Sequence, residues 1–316
     1  MSPLRIRRVR MKTTLSQIVD LSRIGQREGK KLNEVLQLAA SEQLDPSSAN
    51  EQKVLLLLID FQRDFMEQGE LGVPGSHKDV EQVIRLIYEK MENITRIAFS
   101  LDTHQPYQIF HPVWWINREG KYPEPYTIIT AEDVAKGRWL ASNPLDQKKS
   151  EQYVRELERA SKKALCIWPY HCLEGTDGHA LESQLSNLLQ FYSVARHSPL
   201  TCLVKGKDPY SEMYGIIRPE VDRGAYSSGL LDMLPDFDKI WVAGEAKSHC
   251  VLESVRQICE HYPDRPEVTQ KMIILEDCMS CIPGFEEETE RLFDHMQKDY
   301  GFQRSSAQEL MNKRLQ

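Results

Sequence analysis

No apolar run in this chain of 316 residues approaches the roughly 20 residues that a membrane-spanning helix needs, so no membrane partner is expected. Neither sign of charge dominates. Lys and Arg number 40 against 47 Asp and Glu, and the mild net charge of −7 argues against a general nucleic-acid binder. There is no internal repeat, no low-complexity tract and no signal-peptide pattern. The seven cysteines (Cys166, Cys172, Cys202, Cys250, Cys259, Cys278 and Cys281) are an odd set, mostly in or beside apolar segments. That usage fits a reduced setting, and a cytoplasmic location is expected.

Acids are missing from the start of the chain. Arg5, Arg7, Arg8, Arg10 and Lys12 all precede Asp20, the first acid. Residues 1–30 could be an organelle presequence, but presequences avoid acids and here acids recur from Asp20 onward. The preferred reading is a basic amphipathic extension packed on the domain or on a second subunit. Ile18, Val19, Leu21 and Ile24, then Leu32, Val35, Leu36 and Leu38, have helical spacing. Residues 41–52 read as a polar linker, so residues 1–52 are expected to be an extension and 53–316 the main domain.

From residue 54, apolar runs alternate with amphipathic ones. Strands are expected at Val54–Ile59, 96–101, 165–168, 199–204, 239–243 and Met272–Leu275. Helices are expected at 77–91, 180–192, 248–261 and 285–300. This order predicts an α/β fold, three layers deep (α/β/α), with a six-stranded mostly parallel sheet. Functional residues in such sheets gather at the C-terminal strand ends. Asp60, Asp102 with His104, His171, Lys205 and Cys250 each end or follow one of these strands. One charged residue at a strand end is usually a solvated loop residue; five reactive positions on one edge are a candidate site.

Cys250 ends Trp241-Val-Ala-Gly-Glu-Ala-Lys-Ser-His-Cys250, where an apolar strand breaks at Gly244 and a helix begins. Backbone N–H groups and the positive end of the helix dipole there favour a thiolate and can hold an oxyanion.

Five segments resemble, in order, the motifs of nicotinamidases and the wider isochorismatase-like cysteine hydrolases. They are Ile59-Asp60-Phe-Gln-Arg-Asp-Phe65, Asp102-Thr-His104, Trp168-Pro-Tyr-His171, Lys205-Gly with Tyr214 downstream, and Gly244-Glu-Ala-Lys-Ser-His-Cys250. The extension has no counterpart in that pattern. The resemblance implies a catalytic triad of Cys250, Asp60 and Lys205. Cys250 would attack a carbonyl carbon, Asp60 would act as base and then acid, and Lys205 would hold the charged forms. It further implies an oxyanion hole from the N–H groups of Ala246 and Cys250, a cis Glu245-Ala246 peptide, and a pocket walled by Phe65, Trp168 and Tyr214. Without the resemblance those three aromatics would read as packing residues.

Asp102, His104 and His171 offer one carboxylate and two imidazoles, a set suited to one divalent metal ion, Zn²⁺ first and Fe²⁺ or Mn²⁺ as alternatives. His171 discriminates within the resemblance, because members without amidase-type metal sites lack the full set. His111 lies one residue further from His104 than a further ligand does in some nicotinamidases. It reads either as that ligand or as a loop histidine supporting the site. His249 reads as a loop or capping residue, since neighbours at a helix start point in different directions. Cys278-Met-Ser-Cys281 is a lone CxxC and reads as packing.

Residues 112–163 form an insert longer than the resemblance leads one to expect, starting beside the metal motif, and a lid or subunit interface is expected there. Gly-Ile-Ile after Tyr214 departs from the family's usual continuation. The expected function is a metal-dependent cysteine amidase acting on nicotinamide through a Cys250 thioester, in a homo-oligomer. The alternatives are a hydrolase of another small amide, imide or ureido compound, and a non-catalytic metal-binding scaffold.

Overall fold

Val54-Leu-Leu-Leu-Leu-Ile59 has no polar position, and such a run suits a strand covered on both faces. All six of its residues are buried, each burial contributing about 1.5–3 kcal/mol relative to exposure. The computed structural model describes residues 11–27, 29–161, 164–221 and 229–313. Arg5, Arg7, Arg8 and Arg10, the core of the expected basic start, lie outside these residues.

The strands in chain order are β1 (Val54–Ile59), β2 (Ile94–Asp102), β3 (Trp115–Ile116), β4 (Ile128–Ile129), β5 (Leu140–Ala141), β6 (Leu165–Cys166), β7 (Thr201–Lys205), β8 (Lys239–Gly244), β9 (Met272–Leu275) and β10 (Gln303–Ser305). Six of them form one sheet in the order β10-β9-β8-β1-β2-β7, and every pairing in it is parallel. The β1 side chains alternate between two cores. Val54, Leu56 and Leu58 pack against helices Ser76–Glu89 and Ser183–Ala195; Leu55, Leu57 and Ile59 pack against Leu252–His261 and Glu286–Tyr300. The three-layer α/β/α fold with a six-stranded sheet is therefore as expected.

One strand was misassigned. The 165–168 run supplies only β6, which pairs antiparallel with β4 outside the main sheet. The sixth strand is β10, whose Gln-Arg-Ser sequence carries no apolar signal. It lies at the sheet edge, where half its surroundings are solvent and apolar residues are not required.

The β6 run belongs instead to the insert. β3 pairs with β5 and β4 with β6, and helix Gln147–Ser161 packs behind them. Trp114, Trp115, Ile129, Tyr153, Leu157 and Trp168 share a separate apolar cluster there. Both buried indoles find acceptors, Trp114 in Ser150 Oγ at 3.0 Å and Trp115 in the Ile109 carbonyl at 2.7 Å. Thus the insert carries its own small core and presents Trp168 to the main sheet.

The described part of the N-terminal segment adds to one main core. Ile18, Val19, Val35 and Ala39 are buried with the Ser183–Ala195 helix, and Gln184 Oε1 accepts from Asp20 N–H at 2.9 Å. Within the stretch read as a polar linker, Leu44 and Ser47 are buried too. Among the described residues no helix is long and apolar enough to cross a membrane.

Candidate active site

β1 and β8 are neighbours in the sheet, and the chain winds away from them in opposite directions, so the crevice at their C-terminal ends is the topological switch point. The registers Ile59↔Gly244 and Asp102↔Lys205 bring four of the expected segments to this edge. Gly244 permits the approach: a Cβ there would lie 2.4 Å from the Ile59 carbonyl oxygen. His171 reaches the same place from a loop rather than a main-sheet strand. That loop is tied down by an isolated bridge between His104 and Leu173.

Lys205 is the hub. Its Nζ lies 3.0 Å from Asp60 Oδ2, 3.0 Å from Asp102 Oδ1, 3.1 Å from the Met213 carbonyl and 3.6 Å from Cys250 Sγ. Burial alone would lower the Lys205 pKa, but the Asp102 and Asp60 carboxylates outweigh it and hold the ammonium well above its usual range. Burial raises Asp60, with the neighbouring Asp102 charge adding to it against Lys205. Asp102 keeps its negative charge despite burial, because His104 and Lys205 hold it far below the usual carboxylate range.

Cys250 lies in a wide turn, Lys247–Val251, in which Val251 N–H reaches back to the Ala246 carbonyl at 3.2 Å. The expectation of a resting thiolate needs correction. Burial pushes the Cys250 thiol well above its usual value, and Asp60 and Asp102 add to this against Lys205. The thiol is thus protonated at rest, and any attack must begin with removal of its proton. A carboxylate oxygen of Asp60 and Cys250 Sγ lie within 4.8 Å of one another. The Glu245-Ala246 peptide is cis, as the resemblance implies. No acceptor takes the Ala246 N–H among the described residues.

The metal set meets a direct test of fit. Ligand atoms of Asp102, His104 and His171 lie within 4.8 Å of one another, and all three residues are buried. His104 Nε2 is 3.0 Å and His171 Nε2 3.8 Å from Asp102 Oδ2. Each ring turns its Nδ1 to a backbone carbonyl, His104 to Gly206 at 3.2 Å and His171 to Pro169 at 2.8 Å. A ring donating through Nδ1 offers the Nε2 lone pair, the form a metal takes. Burial, with the His104 ring beside it, pushes His171 down to about 3, so it is neutral. The donors fit one divalent ion. His111 stands beside this set, its ring centroid 5.9 Å from that of His104 and 6.0 Å from that of His171. Its Nδ1 faces the Gln105 carbonyl at 3.0 Å and its buried Nε2 has no partner among the described residues. Its ring packs edge-on against His104 and His171.

Phe65, Trp168 and Tyr214 line one cavity together with Asp102, His104, His171, Ala246 and Cys250. His249 also lines it, packed edge-on between Trp168, Tyr214 and Phe285, with its Nδ1 2.8 Å from Ser248 Oγ. It is a wall residue, not the loop or cap expected, because the wide turn rotates it toward the cavity. Cys278 is buried in a main core, as a packing cysteine should be.

Two positions were not anticipated. Ser100 Oγ donates to Asp60 Oδ1 at 2.6 Å and accepts from Asp60 N–H at 3.1 Å. Gln62 exchanges hydrogen bonds with the Asp102 backbone, both at 2.7 Å. Ser100 stands two residues before Asp102 on one strand and so shares its face. A polar pair of that spacing at the end of an apolar strand was the available signal.

No protein-family model matches the chain, and no curated protein sequence does. Solved structures do share its fold. A nicotinamidase/pyrazinamidase from Acinetobacter baumanii superposes with a TM-score of 0.56 at 18% identity, over 82% of this chain and 98% of that one. Yeast nicotinamidase Pnc1p gives 0.55 at 20% identity, over 79% and 98%. PnC1 from L. infantum in complex with nicotinate gives 0.50 at 16% identity, over 84% and 97%. At these identities the likeness establishes the common fold.

Proposed function

We propose that this chain is an isochorismatase-like cysteine hydrolase that cleaves nicotinamide, or a closely similar small aromatic amide, to the acid and ammonia. The observation that carries the reading is the buried Lys205 ammonium, which contacts Asp60, Asp102 and Cys250, the last two of which line a cavity walled by Phe65, Trp168 and Tyr214. The fold shared with nicotinamidase structures supports it. The site residues keep the roles expected of them from sequence.

Asp60 takes the Cys250 thiol proton as sulfur attacks the amide carbon. The raised Asp60 pKa brings its basicity closer to what general-base work requires. The developing oxyanion is received by the N–H groups of Ala246 and Cys250. As the C–N bond breaks, Asp60 passes its proton to the departing nitrogen and a thioester to Cys250 remains. Water then cleaves the thioester, with Asp60 accepting its proton, and the returned proton restores the thiol. Lys205 keeps Asp60 and the sulfur charged when the step needs it. The wall of Phe65, Trp168 and Tyr214 orients an aromatic ring with its carboxamide toward Cys250. Asp102, His104 and His171 would hold a divalent ion, whose bound form would polarise water and anchor a ring nitrogen.

A second reading keeps the machinery and changes the substrate to another amide, imide or ureido compound. It is favoured by one observation: Trp168, a cavity wall, belongs to the insert's own core. Ammonia release across nicotinamide, other aryl carboxamides, imides and ureido compounds separates the two, with metal quantified on the same sample. Equimolar ammonia and nicotinate are expected. Preference for an imide or ureido compound selects the second reading, and release from none overturns both.

A further inference from the structure

The loop carrying Cys250 is fastened to the segment after β9. Lys247 N–H donates to the Ser280 carbonyl at 2.8 Å, and Ile282 N–H to Ser248 Oγ at 3.1 Å. Ser280 also faces two carboxyls. Its N–H points at Glu245 Oε2 at 3.4 Å and its hydroxyl donates to Asp79 Oδ2. Glu245 and Asp79 are buried, and their side chains are in hydrogen-bond contact with each other. Glu245 Oε1 meets no donor among the described residues.

Two carboxylates in contact cannot both be ionised away from water, so one proton must sit between them. Lys78, on the helix of Asp79, only moderates that need. Asp277, Cys278 and Cys281, from the segment after β9, add negative potential when ionised. Asp277 itself is turned away to accept from Ala307 N–H at 2.6 Å. Burial, then the Asp79 charge, pushes Glu245 well above the usual carboxylate range; burial also raises Asp79.

Glu245 is the residue joined to Ala246, whose N–H the reading above assigns to the oxyanion. We propose that Asp79 and Glu245 form a proton-sharing brace, closed by Ser280, that positions the Glu245-Ala246 peptide for catalysis. Both are positioning residues: they touch no reacting atom and act through the peptide they hold. This inference rests on the hydrolase reading, and its test is arranged to stand apart from it.

A carboxyl whose pKa rises on folding keeps its proton in the folded chain and loses it in the unfolded one. Its stabilisation is therefore complete below the unfolded value and is lost as pH rises toward the folded value. The thermal unfolding midpoint of the wild type should fall with pH over that range. Glu245→Gln carries an amide N–H at every pH, so its midpoint should fall less steeply, and Asp79→Asn should do the same. Equal slopes in wild type and both variants would overturn the brace. Glu245→Ala should lower kcat on nicotinamide by about 10–100-fold with KM within about twofold, a partial loss of the ~10²–10³-fold contribution of one oxyanion donor. An unchanged kcat would overturn the positioning role. A wild type inactive on nicotinamide would count against the functional reading alone, since unfolding is read without substrate.

Discussion

Replacing Lys205 with methionine keeps most of the unbranched side chain, one atom shorter, and removes its charge. In the native chain the ammonium lies 3.0 Å from an oxygen of Asp60 and 3.0 Å from one of Asp102. At an effective dielectric constant of about 20, each contact corresponds to roughly 5 kcal/mol of attraction. The desolvation of three buried charged groups offsets much of this. What the substitution exposes is the other side of that balance: two buried carboxylates that have lost the cation between them. Removal of one partner from a buried pair costs about 3–5 kcal/mol, a large share of the ~5–15 kcal/mol that holds a typical domain together. Urea denaturation followed by circular dichroism should show a loss of that size for Lys205→Met. Adding Asp60→Asn should recover part of it, because one of the stranded charges is then gone. A Lys205→Met protein within about 1 kcal/mol of wild type would refute the reasoning, as would a double variant less stable than the single one.

Gly206→Ala should cost metal binding as well as stability. The φ of Gly206 is +77°, and a Cβ there would stand 2.6 Å from Asp102 Oδ1 and 2.7 Å from His104 Cε1. The bound divalent ion should fall well below the wild-type ratio by elemental analysis, and full occupancy would contradict the close approach. His171→Ala should lower zinc affinity by at least about 10-fold in a chelator competition, because one of the three clustered donors is removed. Unaltered affinity would take His171 out of the ligand set.

The main strands were legible where burial is two-sided. β1 and β9 coincide with the apolar runs that announce them, because a central parallel strand has no solvent face on which to place polar residues. β10 was not legible, since an edge strand of Gln-Arg-Ser is held by its backbone pairing with β9. The 165–168 run misled for a related reason. Its apolar residues are buried, but against the insert's own core, and a pattern of hydrophobicity does not say which core it serves. At the site, Asp60, Asp102, Lys205 and Cys250 could be placed because strand ends fix their neighbourhood. The roles of Ser100, Gln62 and the Asp79–Glu245 contact depend on side-chain partners far apart in sequence, which spacing does not reveal. His249 was misread because the Lys247–Val251 turn is wider than an α-helical turn.

The most direct test of the account is turnover of nicotinamide by the Cys250→Ala protein beside the wild type, with folding checked by circular dichroism. A protonated thiol beside Asp60 and Lys205 is the only group in the proposed scheme that forms the acyl bond, so the folded variant should release no ammonia above the uncatalysed background. Retained turnover in a folded Cys250→Ala protein would contradict the assignment of Cys250 as nucleophile, and with it the mechanism proposed for the whole site.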